Sequence, residues 1–228
     1  MLNAKSLLNS VLGSLSQARG GQGVKGLTDK ARQTWDNQST LGKGAIAGGL
    51  LGILLTSGGR RILGTGLKVG GMAAIGGLAY KAYEDWKNGR SGEDRAALPA
   101  PEGSAFNPDG AAADDLATRI LQAMIAAAKA DGHVTPEERA AIDGQLGNLG
   151  LGDEATALIS DELDAPLDVG RIAGLARTEA EATQIYAATL LVVDEQSPAE
   201  KGYLTMLAAR MNLDQGLVDR LHAEAARL

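Results

Sequence analysis

The chain has 228 residues, 22 Lys/Arg against 28 Asp/Glu for a net charge of −6, and no cysteine. The absence of thiols excludes disulfides, thiolate zinc or iron–sulfur sites and thiol nucleophiles. Aromatics make up only 3% of residues, and Ala and Leu dominate the apolar set, so an all-α chain packed through small side chains is expected.

The charge is divided along the chain. Residues 1–90 carry 12 Lys/Arg and 4 Asp/Glu, a net of +8, and the other 138 carry 10 and 24, a net of −14. These add up to −6. Such asymmetry points to two environments, an anionic lipid surface for the first part and cations or a basic partner for the second.

In the N-terminal region, residues 1–40, Leu7, Leu8, Val11, Leu12 and Leu15 recur at helical spacing among Ser6, Asn9, Ser10, Ser14 and Ser16. That pattern predicts an amphipathic helix. Polar residues interrupt every turn, unlike the continuous apolar core of a secretory signal.

Residues 41–88 form a Gly-rich apolar segment. Residues 44–59 run for 16 positions without a charge, between Lys43 and the pair Arg60-Arg61. As a helix this run would rise ~24 Å, short of the ~30 Å hydrocarbon core. Snorkelling of the flanking cations or local thinning would be needed for it to span. A second apolar stretch, residues 62–80, contains Lys68, and the two predict a helical hairpin that associates with membrane lipid.

Glycines at 44, 48 and 52, and at 66 and 70, have the small-xxx-small spacing that lets helices approach closely in lipid. Tyr80, Tyr83 and Trp86, followed by Lys87 and Arg90, predict an interfacial belt. The alternatives are a soluble Gly-rich loop or a buried core hairpin, and a soluble or peripheral scaffold whose hairpin self-associates or binds a partner, membrane proteins among them. Pro99, Pro101 and Pro108 then mark residues 89–113 as a flexible linker.

The acidic remainder, residues 114–228, is predicted to be a bundle of about seven short helices. Three capping boxes start helices: Thr135-Pro136-Glu137-Glu138, Thr178-Glu179-Ala180-Glu181 and Ser197-Pro198-Ala199-Glu200. In each, the hydroxyl accepts from the N3 amide and the Glu carboxylate reaches back to the cap amide. Apolar spacing marks Ile120, Leu121, Met124 and Ile125, then Leu204, Leu207, Ala208 and Met211, then Leu217, Val218 and Leu221 as core, with Asp214 capping the last helix.

Two stretches repeat one plan: Ala130-Asp131-Gly132-His133-Val134-Thr135-Pro136-Glu137-Glu138 and Val193-Asp194-Glu195-Gln196-Ser197-Pro198-Ala199-Glu200. Packed about a pseudo-twofold axis, they would gather Asp131, Glu137, Glu138, Asp194, Glu195 and Glu200. Carboxylates suit a hard divalent cation, Ca²⁺ or Mg²⁺, which makes these six the candidate metal ligands. Counted as an EF-hand from Asp131, position 6 is Pro136 and position 12 is Ile142, so that loop is excluded. Solvated capping acids are the plainer reading.

These turns, with Lys201-Gly202-Tyr203-Leu204 through Arg210 and the Gly-rich segment before them, resemble the YebE-like bacterial inner-membrane proteins of unknown function. Residues 115–228 are similar to the TerB tellurite-resistance fold. The resemblance implies a helical bundle with acidic clusters for divalent metal, in a membrane-linked stress system. It implies the bacterial inner membrane, with the acidic domain on the cytoplasmic side. Its matching positions are Asp131, Glu138, Asp194 and Glu200, with Glu137 and Glu195 as neighbours. Glu195 stands where the first turn has Gly132, and the second turn is one residue shorter.

No Walker A, HExxH or GxSxG pattern occurs, so a non-enzymatic role is expected, with no catalytic residue and no small-molecule substrate. The cations of the N-terminal half are scattered among glycines and aliphatics, which disfavours nucleic acid and favours lipid.

Overall fold

The computed structural model describes Lys5, Leu8 and residues 71–89, 99–130, 139–140, 153–193 and 197–227. Seven helices are described: α1 (Gly71–Lys87), α2 (Gly110–Ala128), α3 (Asp153–Asp164), α4 (Val169–Ala173), α5 (Glu179–Leu190), α6 (Pro198–Arg210) and α7 (Gln215–Ala225). Among the described residues there is no strand, as the all-α expectation requires, and Ser104 and Asn107 form one isolated bridge.

Helix α5 is the hub of a helical bundle. It packs against α1, α2, α6 and α7, and nine of its 12 residues are buried. A helix without a polar face has to be enclosed. Ala182, Ala187 and Ala188 let its neighbours come close, and the buried Thr183 and Thr189 hydroxyls donate to the carbonyls of Glu179 and Ile185 at 2.7 and 2.8 Å. Such back-bonding lets a hydroxyl be buried without an unmade bond.

The predicted core residues of α2, α6 and α7 are buried, except that Met211 is half-buried where it caps α6. Asp214 caps α7 as expected, accepting from the Gly216 amide at 2.8 Å. Helix α6 starts on Ser197, whose hydroxyl accepts from the Glu200 amide at 3.4 Å with Pro198 in the first turn. It stops at Asn212, φ +58. The Leu213 and Asn212 amides close back on the Ala208 and Ala209 carbonyls at 3.1 and 3.2 Å, a left-handed helix stop.

Two expectations are corrected. In the predicted interfacial belt the polar tips of Tyr83 and Trp86 are engaged within the bundle, because α1 packs against α7 and α5. Tyr83 donates to Glu179 at 3.2 Å and Trp86 to Asp214 Oδ1 at 2.9 Å. Tyr80 and Tyr83 pack on Phe106 with ring centroids 5.6 and 5.3 Å away. The buried Lys81 pairs with Glu224 at 2.6 Å and Asp85 at 3.3 Å.

Residues 99–109 are likewise part of the bundle and not a free linker, since Ala100 and Phe106 are buried and the Ala105 carbonyl accepts from Gln184 Nε2 at 2.8 Å. Gly76 of α1 is what allows this seat. A Cβ there would overlap the Phe106 carbonyl oxygen and lie 3.6 Å from Gln184 Oε1, so this glycine serves close backbone approach. Among the described residues, no helix is long and apolar enough to cross a membrane. The charge-free run 44–59 and the glycines at 44, 48, 52, 66 and 70 lie outside the described residues.

Candidate functional site

Among the described residues, two buried ionic centres join α2 and α3 to their neighbours, beside the Lys81 cluster between α1 and α7. In the first, Arg119 stands on the inner stripe of α2, three residues after Leu116 and four before Ala123, and is only 6% exposed. Its Nη1 and Nη2 each donate to Glu181 at 2.8 Å, a two-pronged pair between α2 and the head of α5. Nη1 also donates to the Leu175 carbonyl at 2.7 Å and Nη2 to Asp115 at 3.0 Å. Asp115 in turn accepts from Arg177 at 2.6 Å.

The Arg119 hydrogen bond, ahead of the opposing effect of burial, holds the Glu181 carboxyl below its ordinary value of 4.5. The Thr178 capping box is therefore only half as predicted. Thr178 Oγ1 accepts from the Glu181 amide at 3.2 Å, but the Glu181 carboxylate takes the Arg177 amide at 2.7 Å and turns to Arg119.

The second centre surrounds Glu162, 4% exposed on α3. Arg171 of α4 donates both terminal nitrogens to it, one at 3.1 Å to Oε2 and the other to Oε1. Lys129, just beyond α2, donates to the carbonyls of Glu162, at 2.9 Å, and Ala165, so its ammonium closes the C-terminal end of α3. Desolvation is the largest influence on Lys129 and pushes its pKa down. Arg139 pairs with Asp164 at the rim.

Tyr203 of α6, only 2% exposed, has its pKa raised chiefly by desolvation and then by the Glu162 charge. Among the described residues its buried hydroxyl has no hydrogen-bond partner. Both centres match buried charge with opposite charge or carbonyl dipoles, the arrangement that makes such burial tolerable. Their effect is to lock α2 to α3, α4 and α5.

Of the six candidate ligands, only Glu200 is among the described residues. It is 3% exposed on the inner side of α6, in line with Tyr203, Leu204 and Leu207, and its amide is bound by Ser197. Asp131, Glu137, Glu138, Asp194 and Glu195 lie outside the described residues, as does His133. Among the described residues no group of three or more His, Cys, Asp or Glu is placed to hold a metal ion. Among the described residues, buried charges that sequence reasoning missed are Lys81, Arg119, Lys129 and Glu162. The signal was present: Arg119 interrupts the apolar stripe of α2, and Glu162 continues the stripe Ala155, Ile159 of α3.

Residues 40–225 match the family model described as Protein of unknown function (DUF533). The chain belongs to the DUF533 family. Those bounds take in all seven described helices and the proline-containing segment between α1 and α2. Over 111 residues the DUF533 chain is 27% identical to an uncharacterized protein in the ampR 5′ region of Yersinia enterocolitica, covering 49% of this chain and 80% of that protein. No solved structure matches the chain.

Proposed function

We propose that this DUF533 chain is a non-enzymatic, peripheral membrane module, in which residues 1–70 hold a TerB-like acidic bundle at an anionic lipid surface and the bundle meets a protein partner there. The observation that carries the proposal is the charge division redrawn at α1. Residues 1–70 hold 9 Lys/Arg and 2 Asp/Glu, +7, and residues 71–228 hold 13 and 26, −13. Each cation near an anionic leaflet contributes about 1 kcal/mol, while the acidic bundle is repelled from it. The ionic centres favour an interaction module over an enzyme, because their charged groups are engaged with one another or with backbone carbonyls.

Sedimentation of the full chain with vesicles tests the lipid contact. Phosphatidylcholine vesicles containing phosphatidylglycerol are expected to carry the chain down at about 0.1 M salt and to release it at about 0.5 M, where the screening length is roughly halved. Pure phosphatidylcholine should leave it in solution. Recovery in the supernatant with both vesicle types would overturn the proposal, and recovery that survives carbonate would replace peripheral contact with insertion.

Resemblance, and not the described geometry, supports a divalent-ion response through Asp131, Glu137, Glu138, Asp194, Glu195 and Glu200 in envelope or metal stress. Calorimetric titration with Ca²⁺ or Mg²⁺ is expected to give saturable heat that Asp131→Asn with Asp194→Asn removes. Heats equal to dilution would strike the metal from the proposal.

A further inference from the structure

Among the described residues, Met206 and Leu167 are the large apolar side chains left in the open, at 51% and 40% exposure. Met206 points away from Tyr203, Leu204, Leu207 and Ala208, which are buried where α6 packs on α4 and α5. Ala199, Met206 and Ala209 are exposed and Gly202 is half-buried. These four residues follow one another at spacings of 3, 4 and 3, the seam along which one helix packs on another. Leu167 stands in the turn before α4, the helix beside α6.

The bundle does not account for Gly202. Glycine weakens a helix interior relative to alanine, yet the backbone here has no positive φ, and nothing lies within 4 Å of where a Cβ would stand. A hole that the chain itself does not use is one turn from a knob, Met206, that the chain itself does not cover.

The seam is complementary to its own reverse. About a twofold axis crossing α6 at position 204, Gly202 of one copy faces Met206 of the other and Ala199 faces Ala209, so each layer sets large against small or small against small. A parallel pairing in register would set Met206 on Met206 and leave a gap at Gly202. Charge agrees with this face. Of the seven described helices, α4 and α6 are the two with a net positive charge, Arg171 in α4 and Lys201 with Arg210 against Glu200 in α6. Two acidic bundles therefore repel each other least when they meet on this side.

We propose that α6 is a homodimer interface, pairing antiparallel with a second copy of this chain by seating Met206 over Gly202. It stands apart from the lipid contact. A seam rising about 15 Å from Ala199 to Ala209 covers less than the ~800 Å² per partner of a standard interface, so the dimer is weak and exchanges with monomer.

Sedimentation equilibrium of the full chain is expected to show reversible dimerisation. Met206→Glu should weaken it at least about a hundredfold, because every dimer holds the contact twice. Ala157→Glu adds the same charge at an exposed position of α3 and should leave dimerisation near the wild-type value. Gly202→Leu adds apolar surface but fills the hole, so it should weaken the dimer about tenfold. A wild type that stays monomeric, a Met206→Glu chain that associates as the wild type does, equal losses from Met206→Glu and Ala157→Glu, or a tighter dimer from Gly202→Leu would each overturn the interface.

The chain has no cysteine, so a mixture of Ala199→Cys and Ala209→Cys chains reports the register on oxidation. The mixed disulfide is expected in large excess over both homodisulfides, since positions 199 and 209 face each other across the axis. A random distribution, or an excess of either homodisulfide, would overturn the antiparallel pairing.

Discussion

Arg119→Met is expected to lower the free energy of unfolding by about 3 kcal/mol, because it leaves the Glu181 and Asp115 carboxylates without the cation that closes on both. The Leu175 carbonyl and the packed guanidinium stem are lost with it. Arg119→Met combined with Glu181→Met should recover part of that loss, since removing both partners is far less harmful than stranding one. Urea titration of the two variants and the wild type measures this asymmetry. A double variant no more stable than Arg119→Met would show that the pair is not the source of the effect.

The same pair sets an acid limit. A carboxyl whose folded pKa lies below its unfolded value contributes stability that is fully present above the unfolded value and lost as pH falls through the folded one. For Glu181 the loss begins near 4.5, its ordinary value, and continues downward. Because the largest cause of the depression is the Arg119 hydrogen bond, Arg119→Met should flatten that part of the stability profile between about pH 5 and pH 3.

Gly76→Ala is expected to destabilise the fold by about 2 kcal/mol, with the clash exceeding the helix-propensity gain of about 1 kcal/mol. The added carbon would overlap the backbone oxygen of Phe106, and backbone cannot swing aside as a side-chain tip can. Either α1 or residues 99–109 must move, and Tyr80 and Tyr83 would lose their contact with the Phe106 ring. Gly202→Ala is the contrast. Nothing lies within 4 Å of a Cβ at that helical position, so about 0.5–1 kcal/mol of added stability is expected from propensity alone. Denaturant midpoints of the two variants should move in opposite directions; a shift in the same direction would refute the assignment of Gly76 as a close-approach glycine.

The apolar periods of α2, α6 and α7 and the caps at Thr178, Ser197 and Asp214 were legible because each depends on neighbours within about one helical turn. The role of α1 was misread for a physical reason. Small and aromatic residues with basic flanks satisfy a membrane pattern and a buried packing pattern equally well, since both reward apolar surface and close approach. Glu181 was read correctly as a first-turn acid, but its carboxylate had a choice between the cap amide and a guanidinium 62 residues away in sequence, and the stronger charge-assisted bond took it.

The sequence by itself determined the helical class, the starts of α5, α6 and α7, the buried faces of α2, α6 and α7 and the division of charge, all properties of local spacing and composition. Only the tertiary structure decided that α1 and residues 99–109 belong to the bundle and that Arg119 and Glu162 are buried with their counter-charges. Those facts depend on which surfaces meet. Partners far apart in the chain are selected by the burial and pairing of whole faces, which no local pattern encodes.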